Sequence, residues 1–239
     1  MTPTSDILEG LNPGQKEAVE SIDGPLLIIA GPGSGKTRVI THRIAYMVRM
    51  CDVLPYRIAA VTFTNKAARE MKDRLERLVG PHNDALTVGT FHSFCAQMLR
   101  RDGSHVGLSP SYTIFDSDDQ LALIKQAMEL ADIDAKQFTP QAVRSTISKA
   151  KSILLDSQAF ARNQQNYFEE RCARIYHHYE EFLSRNNAAD FDDLLMRAVQ
   201  LLQDNLEVRE RYQERYHYLM VDEFQDTNVA QYRLARLLA

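Results

Sequence analysis

The tightest constraint on the fold lies in residues 30–38, AGPGSGKTR, which follow directly on the apolar run Leu26-Leu27-Ile28-Ile29. Glycine and proline suit neither a strand interior nor a helix interior, so the apolar run reads as a buried strand that ends in a tight turn. Such a turn has few side chains to pack and leaves a row of backbone N–H groups unpartnered. Helical spacing resumes at Lys36. Ala30, Gly31, Pro32, Gly33, Ser34, Gly35, Lys36 and Thr37 fit the pattern [A/G]xxxxGK[S/T], a strand–loop–helix passage that wraps a nucleotide β-phosphate. In that reading the N–H groups and the helix N-terminus hold the anion. Lys36 reaches the β- and γ-phosphates, and the Thr37 hydroxyl is a ligand for Mg²⁺. At average residue usage a chance match arises in roughly two of a hundred chains of this length, so the phosphate reading prevails. Arg38 follows the loop and is placed to reach phosphate or a nearby acid.

Four short apolar runs, 26–30, 58–64, 86–90 and 218–221, read as buried strands, with helical spacing over 36–50 and 66–79 between the first three. Strand–helix–strand alternation predicts a parallel sheet with right-handed crossovers. From residue 92 to residue 213 the character changes: 118–131, 139–153 and 168–185 carry apolar residues at spacings of three and four. TPQAV supplies a helix start, with Thr139 as cap and Pro140 in the first turn. The expected fold class is α/β, a parallel sheet flanked by helices and interrupted by a mostly helical inserted domain. The expected boundaries are 1–91, 92–213 for the insertion, and 214–239 for the return to the sheet. The ending RLARLLA falls within an amphipathic helical pattern and reads as a truncation.

Composition excludes more than it assigns. A net charge of −4 over 239 residues gives no global basic footprint, so contact with nucleic acid needs a local patch. The three cysteines lack any CxxC pair and suit a reducing compartment. No apolar stretch approaches the ~18 residues of a membrane span, and the start MTPTSDILEG lacks the features of a signal peptide. A soluble cytoplasmic protein is expected.

A second acidic site completes the phosphate loop. Tyr-Leu-Met-Val runs into Asp222-Glu223, an apolar strand ending in two carboxylates. Asp222 at the strand end is placed to hold Mg²⁺ with Thr37, and Glu223 to act as general base on the attacking water. Lys36, Asp222 and Glu223 are therefore the candidate catalytic residues. Gln225, Asp226 and Asn228 are unusually polar for residues after a strand, and are candidates to sense the γ-phosphate or couple to a neighbouring site.

LNPGQ (11–15), AGPGSGKT (30–37), TFTNKAA (62–68), GTFHSF (89–94) and VDEFQDTN (221–228) together resemble the UvrD/Rep/PcrA-like superfamily 1 DNA helicases, in that family's order and spacing. The resemblance implies a RecA-like P-loop NTPase sheet, domain 1A, interrupted by a helical domain 1B, and DFDDLL (190–195) is similar to a segment near the end of 1B. It further implies ATP and Mg²⁺ as cofactors, single-stranded DNA and single/double-strand junctions as partners, and 3′ to 5′ movement. Repair or replication proteins are further possible partners, and no membrane is involved. The family's later motifs, with its arginine fingers, an adenine-stacking aromatic and domains 2A and 2B, are absent from the chain. The fragment alone is thus expected not to unwind DNA. A helicase subunit of a recombination nuclease complex, and a nucleotide- and DNA-binding module without turnover, stand as alternatives.

The resemblance assigns Gln15 to the adenine edge, while LNPGQ by itself reads equally as a capped helix start with Asn12 at the cap. It assigns Phe63 to base stacking and Thr64, Asn65 and Lys66 to the DNA backbone, with Thr90 and His92 in the same role after the third strand. Phe91 and Phe94 read as core. His177-His178 reads as a surface pair without acids at ligand spacing, and Cys95 as a buried thiol. Arg144, Lys149 and Lys151 share a helical segment whose solvated face is favoured over contact with duplex DNA.

Overall fold

The computed structural model describes residues 7–80 and 85–239. The chain divides into two compact units, one of residues 1–91, 210–226 and 238–239, the other of residues 92–209 and 227–237.

In the first unit, helix α1 spans Pro13–Glu20 and helix α2 spans Lys36–Met50. Strand β1 (Ile58–Thr62), helix α3 (Asn65–Val79) and strand β2 (Thr87–Thr90) follow, and the chain returns at strand β5 (Tyr218–Val221). β1 is the centre of a three-stranded sheet ordered β2-β1-β5. Both pairings are parallel, with Thr62 opposite Thr90 and Val61 opposite Val221. All five residues of β1 are buried, which fits a strand covered on both faces. Ile44 and Met47 of α2 and Met71 and Leu75 of α3 close over Ile58 and Ala60. Thr64 caps α3 by accepting from the Ala67 N–H at 3.1 Å.

The predicted strand over residues 26–30 is a correction: that segment joins no ladder. Ile28 packs on the small cluster of Leu11, Ala18, Val19 and Val39, but Leu27 is 69% and Ile29 90% exposed. An apolar run becomes a strand only when a neighbour takes its N–H and C=O groups, and none of the three strands of the sheet is paired with it. The other strand predictions hold to within two residues, β1 ending at Thr62 rather than residue 64 and β2 starting at Thr87 rather than residue 86.

The second unit is built mainly of helices. Helix α4 (Phe91–Asp102) leads into it, and strand β3 (Thr113–Phe115) precedes helices α5 (Ser117–Leu130), α6 (Pro140–Ser152), α7 (Ser157–Arg162) and α8 (Tyr167–Arg185). Strand β4 (Ala188–Asp190), parallel to β3, leads into helix α9 (Phe191–Asp204). Thr139 caps α6 with Pro140 in its first turn, as the sequence predicts. Helix α10 (Leu206–Arg215) precedes β5, and helix α11 spans Val229–Leu238. Ile124, Val143, Ile147, Ile175 and Leu183 lie in one apolar core of α5, α6 and α8. Phe91 and Phe94 are buried, as expected. Cys95 is a buried thiol whose pKa burial pushes up.

Two readings of charged residues need correction. Lys151 lies on no solvated face: it is 0% exposed, with Nζ 2.7 Å from Glu180 Oε1, 2.9 Å from Asp190 Oδ2 and 2.8 Å from Asp193 Oδ1. Burial alone would lower its pKa, but Asp190, Asp193 and Glu180 outweigh that and hold it well above the ordinary lysine value. The histidine pair does have an acid at helical spacing. Glu181 lies 3.7 Å from His177 Nε2 and 3.2 Å from His178 Nδ1, on the same turn of α8.

Ile44→Ala removes a fully buried side chain between α2 and the sheet. It should cost about 2–5 kcal/mol, read as a lower midpoint in urea unfolding followed by circular dichroism.

Candidate functional site

The phosphate loop takes its shape from two glycines in left-handed backbone conformations, Gly33 at φ 75° and Gly35 at φ 87°. Gly35 is the N-cap of α2 and offers no side-chain cap, so the first N–H groups of that helix have no partner from a capping side chain. A Cβ at Gly35 would also sit 3.1 Å from Gln15 Nε2. Both glycines are therefore dictated by the backbone path.

Lys36 curls back over the loop, donating at 3.3 Å to the carbonyl oxygens of Ala30 and Gly31. Its Nζ also lies 4.0 Å from Glu223 Oε2. The Thr37 hydroxyl donates to Asp222 Oδ2 at 3.0 Å, joining the loop to the residue that follows β5. Asp222 is set there by the parallel register, its N–H donating to the Val61 carbonyl at 3.0 Å. Glu223 has φ 51°, a left-handed conformation that a residue with a Cβ holds only at a cost of order 1 kcal/mol. Its Oε2 accepts from Gln225 Nε2 at 2.7 Å, and its N–H donates to Asp222 Oδ1 at 3.1 Å. Lys36, Thr37, Asp222 and Glu223 thus meet at one edge of the sheet.

The remaining candidates are placed as follows. Ser34 folds its hydroxyl onto the Gly31 carbonyl at 2.6 Å, and Pro32 is exposed on the loop. Gln15 is the third residue of α1, in a capping box with Asn12, and its Nε2 donates to the Ser34 carbonyl at 2.9 Å. The helix-start reading of LNPGQ is therefore correct, and the same side chain braces the phosphate loop. The Arg38 guanidinium reaches the Glu9 backbone carbonyl at 3.5 Å. Asn228 pairs with Gln231 in a reciprocal cap: its Oδ1 accepts from the Gln231 N–H, and Gln231 Oε1 accepts from the Asn228 N–H, each at 2.9 Å.

Phe63 lies after β1, half-buried, its ring edge-on to Phe91 at 5.6 Å. Thr64, Asn65 and Lys66 are exposed at the start of α3, and Thr90 is buried at the end of β2. In the second unit His92 is half-buried and stands edge-on to Phe191 at 6.1 Å. Burial holds its pKa below the ordinary histidine value, so it is neutral at pH 7. Phe191 had no assigned role in the sequence reading, yet it is 47% exposed at the start of α9. An aromatic directly after a capping aspartate, in DFDDLL, was the signal that could have found it.

A glycine loop on a helix N-terminus, facing a carboxylate at the end of a parallel strand, defines a phosphate-binding loop protein of the P-loop NTPase class. The family described as UvrD/REP helicase N-terminal domain matches residues 11–239, and the chain belongs to it. The chain is 46% identical over 236 residues to the ATP-dependent DNA helicase PcrA of Bacillus subtilis (strain 168), covering 99% of this chain and 32% of that protein. It is also 46% identical over 233 residues to PcrA of Staphylococcus aureus (strain Mu50 / ATCC 700699), covering 98% of this chain and again 32% of the relative. The chain therefore spans about a third of the length of the curated relatives it matches. Among the described residues, no helix is long and apolar enough to cross a membrane.

Gly35→Ala should destabilise the first unit by about 1–2 kcal/mol, because the left-handed backbone disfavours any Cβ. The new methyl would also press on Gln15. A lower thermal midpoint, followed by circular dichroism, is the expected result.

Proposed function

We propose that this chain is the ATP-binding, N-terminal motor portion of a DNA helicase. In this reading a helical domain of residues 92–213 is inserted between residues 1–91 and 214–239. The observation that carries the proposal is the convergence of Lys36, Thr37, Asp222 and Glu223 on an uncapped helix N-terminus. A second feature supports it: α2 and α3 have no acidic residue in their first turns and carry Lys36 and Lys66 there, against the helix dipole. Helices α5, α8 and α9 of the other unit carry acids at that place, and α6 and α7 carry neither an acid nor a lysine there. Positive charge at a positive helix end is tolerated where an anion is to be bound.

The donor set suits both partners. The Thr37 hydroxyl and the Asp222 carboxylate are two hard oxygens already 3.0 Å apart, as a Mg²⁺ that keeps most of its waters requires. Bound there, Mg²⁺ would neutralise charge on the β- and γ-phosphate oxygens. Lys36 would exchange its loop carbonyls and Glu223 for those oxygens. Glu223, released from the Lys36 contact and oriented by Gln225, takes the proton of a water attacking the γ-phosphorus. The bond to the bridging oxygen breaks, giving ADP and phosphate. Gln15 lies beside the loop, where its amide suits the adenine edge.

Phe63, Asn65, Lys66 and Thr64 in one unit, and His92 with the exposed Phe191 in the other, would contact single-stranded DNA through base stacking and backbone contacts. The whole protein, with its 2A and 2B domains, would move 3′ to 5′, open duplex junctions in repair or replication, and work in the cytoplasm.

Lys36→Ala should lower ATP affinity at least tenfold in fluorescent-nucleotide titration, while Glu223→Gln in the full-length protein should bind ATP normally and not turn over. Equal affinity of wild type and Lys36→Ala would sink the assignment. Phe63→Ala should cost about 1–3 kcal/mol of single-strand affinity with an unchanged salt slope, whereas Lys66→Ala should flatten that slope by about one unit at most. His92, being neutral, should leave the slope unchanged when replaced by alanine. The 239-residue chain alone should show no ATP-dependent product in a fluorescent strand-separation assay. An arginine finger typically contributes ~10³–10⁵ in rate, and none of the chain's motifs carries one.

A further inference from the structure

The most unusual group outside the phosphate site is the buried Lys151 of α6. We infer that Lys151 is a positioning residue for the nucleic-acid contact at Phe191 and His92, acting through the two carboxylates that cap α9; this rests on the single-strand reading of those two residues.

The argument starts from how α9 begins. Asp190 and Asp193 form a reciprocal capping box: Asp190 Oδ1 accepts from the Asp193 N–H at 2.8 Å, and Asp193 Oδ2 accepts from the Asp190 N–H at 3.1 Å. That uses one oxygen of each carboxylate. The other oxygens, Asp190 Oδ2 and Asp193 Oδ1, are the ones that meet Lys151 Nζ at 2.9 and 2.8 Å. Glu180 of α8 supplies the third contact at 2.7 Å, and the Tyr179 hydroxyl donates to Asp190 Oδ2 at 2.9 Å. Arg197 Nη2, 3.4 Å from Glu180 Oε2, adds a second cation. The first turn of α9 is thereby tied to α6 and α8 through a single ammonium group.

Phe191 and Asp192 lie between the two capping aspartates, so the Phe191 backbone is fixed by the same bonds. The residue is nevertheless 47% exposed, and its ring meets His92 edge-on at 6.1 Å. An ion cluster is a poor way to stabilise a core, since well-packed apolar side chains of equal volume often do as well or better. What bonds of fixed length and direction do supply is location. A stacking platform must hold its ring still against the base, because each freely rotating ring loses part of its binding free energy to ordering. The cluster fixes the backbone that carries the exposed aromatic at the start of the helix.

The test uses the chain's lack of tryptophan. Phe191→Trp introduces a single fluorophore whose time-resolved anisotropy reports ring motion with no DNA present. Lys151→Met in that background should add a fast local depolarisation while leaving the melting transition cooperative. Tyr179→Phe, which removes one hydroxyl and keeps the ring, should add a smaller one, and decides the matter if Lys151→Met does not fold. Binding of a fluorescent oligo-dT is then measured in a double-mutant cycle without the probe. Phe191→Ala should weaken it about tenfold, Lys151→Met by a similar factor and Tyr179→Phe about threefold. The double variant Lys151→Met/Phe191→Ala should bind no more weakly than the weaker single variant. A folded Lys151→Met or Tyr179→Phe with an unchanged ring signal and unchanged affinity would overturn the inference, as would losses that multiply in the double variant. If Phe191→Ala and His92→Ala both bind as wild type, the single-strand reading of this face falls and the inference falls with it. If they bind weakly while Lys151→Met and Tyr179→Phe do not, the inference alone falls.

Discussion

The parallel ladder through β1 is the constraint on which the first unit depends. Because β2 and β5 both run alongside β1 in the same direction, the residues that leave all three strands emerge at one edge. Phe63 and Thr64 follow β1, Phe91 follows β2, and Asp222 and Glu223 follow β5. An antiparallel neighbour would have sent one of these groups to the opposite edge. The Thr37–Asp222 hydrogen bond then ties the phosphate loop to that edge. Polar chemistry gathers at the carboxyl ends of the strands because the strand interiors, buried in β1 throughout, have no room for it.

Much of this was legible in the sequence, for identifiable reasons. The glycine spacing around Gly33 and Gly35 encodes left-handed backbone that few other residues adopt, so the loop could be located without a fold. Helices α5, α6 and α8 of the second unit could be located because 118–131, 139–153 and 168–185 carry apolar residues at spacings of three and four, and because Thr139 is a cap with a strong local signal. Residues 26–30 misled because apolar composition reports a tendency to be buried, whereas a strand also needs a partner for its backbone. Lys151 misled in the opposite sense. Helical spacing groups it with Arg144 and Lys149, yet its three acids come from residues 180, 190 and 193, tens of positions away. No local pattern encodes such a meeting.

The two units use charge in opposite ways. In the first, Lys36 and Lys66 stand at helix starts without acidic neighbours in the first turn, and the Lys36 contacts are long, at 3.3 and 4.0 Å. Such contacts are readily exchanged for a better anion. In the second, Lys151 makes three contacts of 2.7–2.9 Å with solvent excluded, and exchange would strand buried carboxylates. The difference matches the demands of each place, since a ligand site must release its cation and a scaffold must not.

The segment at residues 26–30 is the least supported part of the path into the phosphate loop. Its backbone lies outside any ladder, Leu27 and Ile29 face water, and β5 forms an outer margin of the sheet. Natural sheets blunt such margins with lysine, proline or a bulge. The run Leu-Leu-Ile-Ile carries none of these within it, although Pro25 and the glycine loop bound it on either side. The same four residues that lead into the phosphate loop thus keep apolar surface in water and main-chain groups outside any ladder, so the approach to the loop is held by Ile28 alone where it meets Leu11, Ala18, Val19 and Val39.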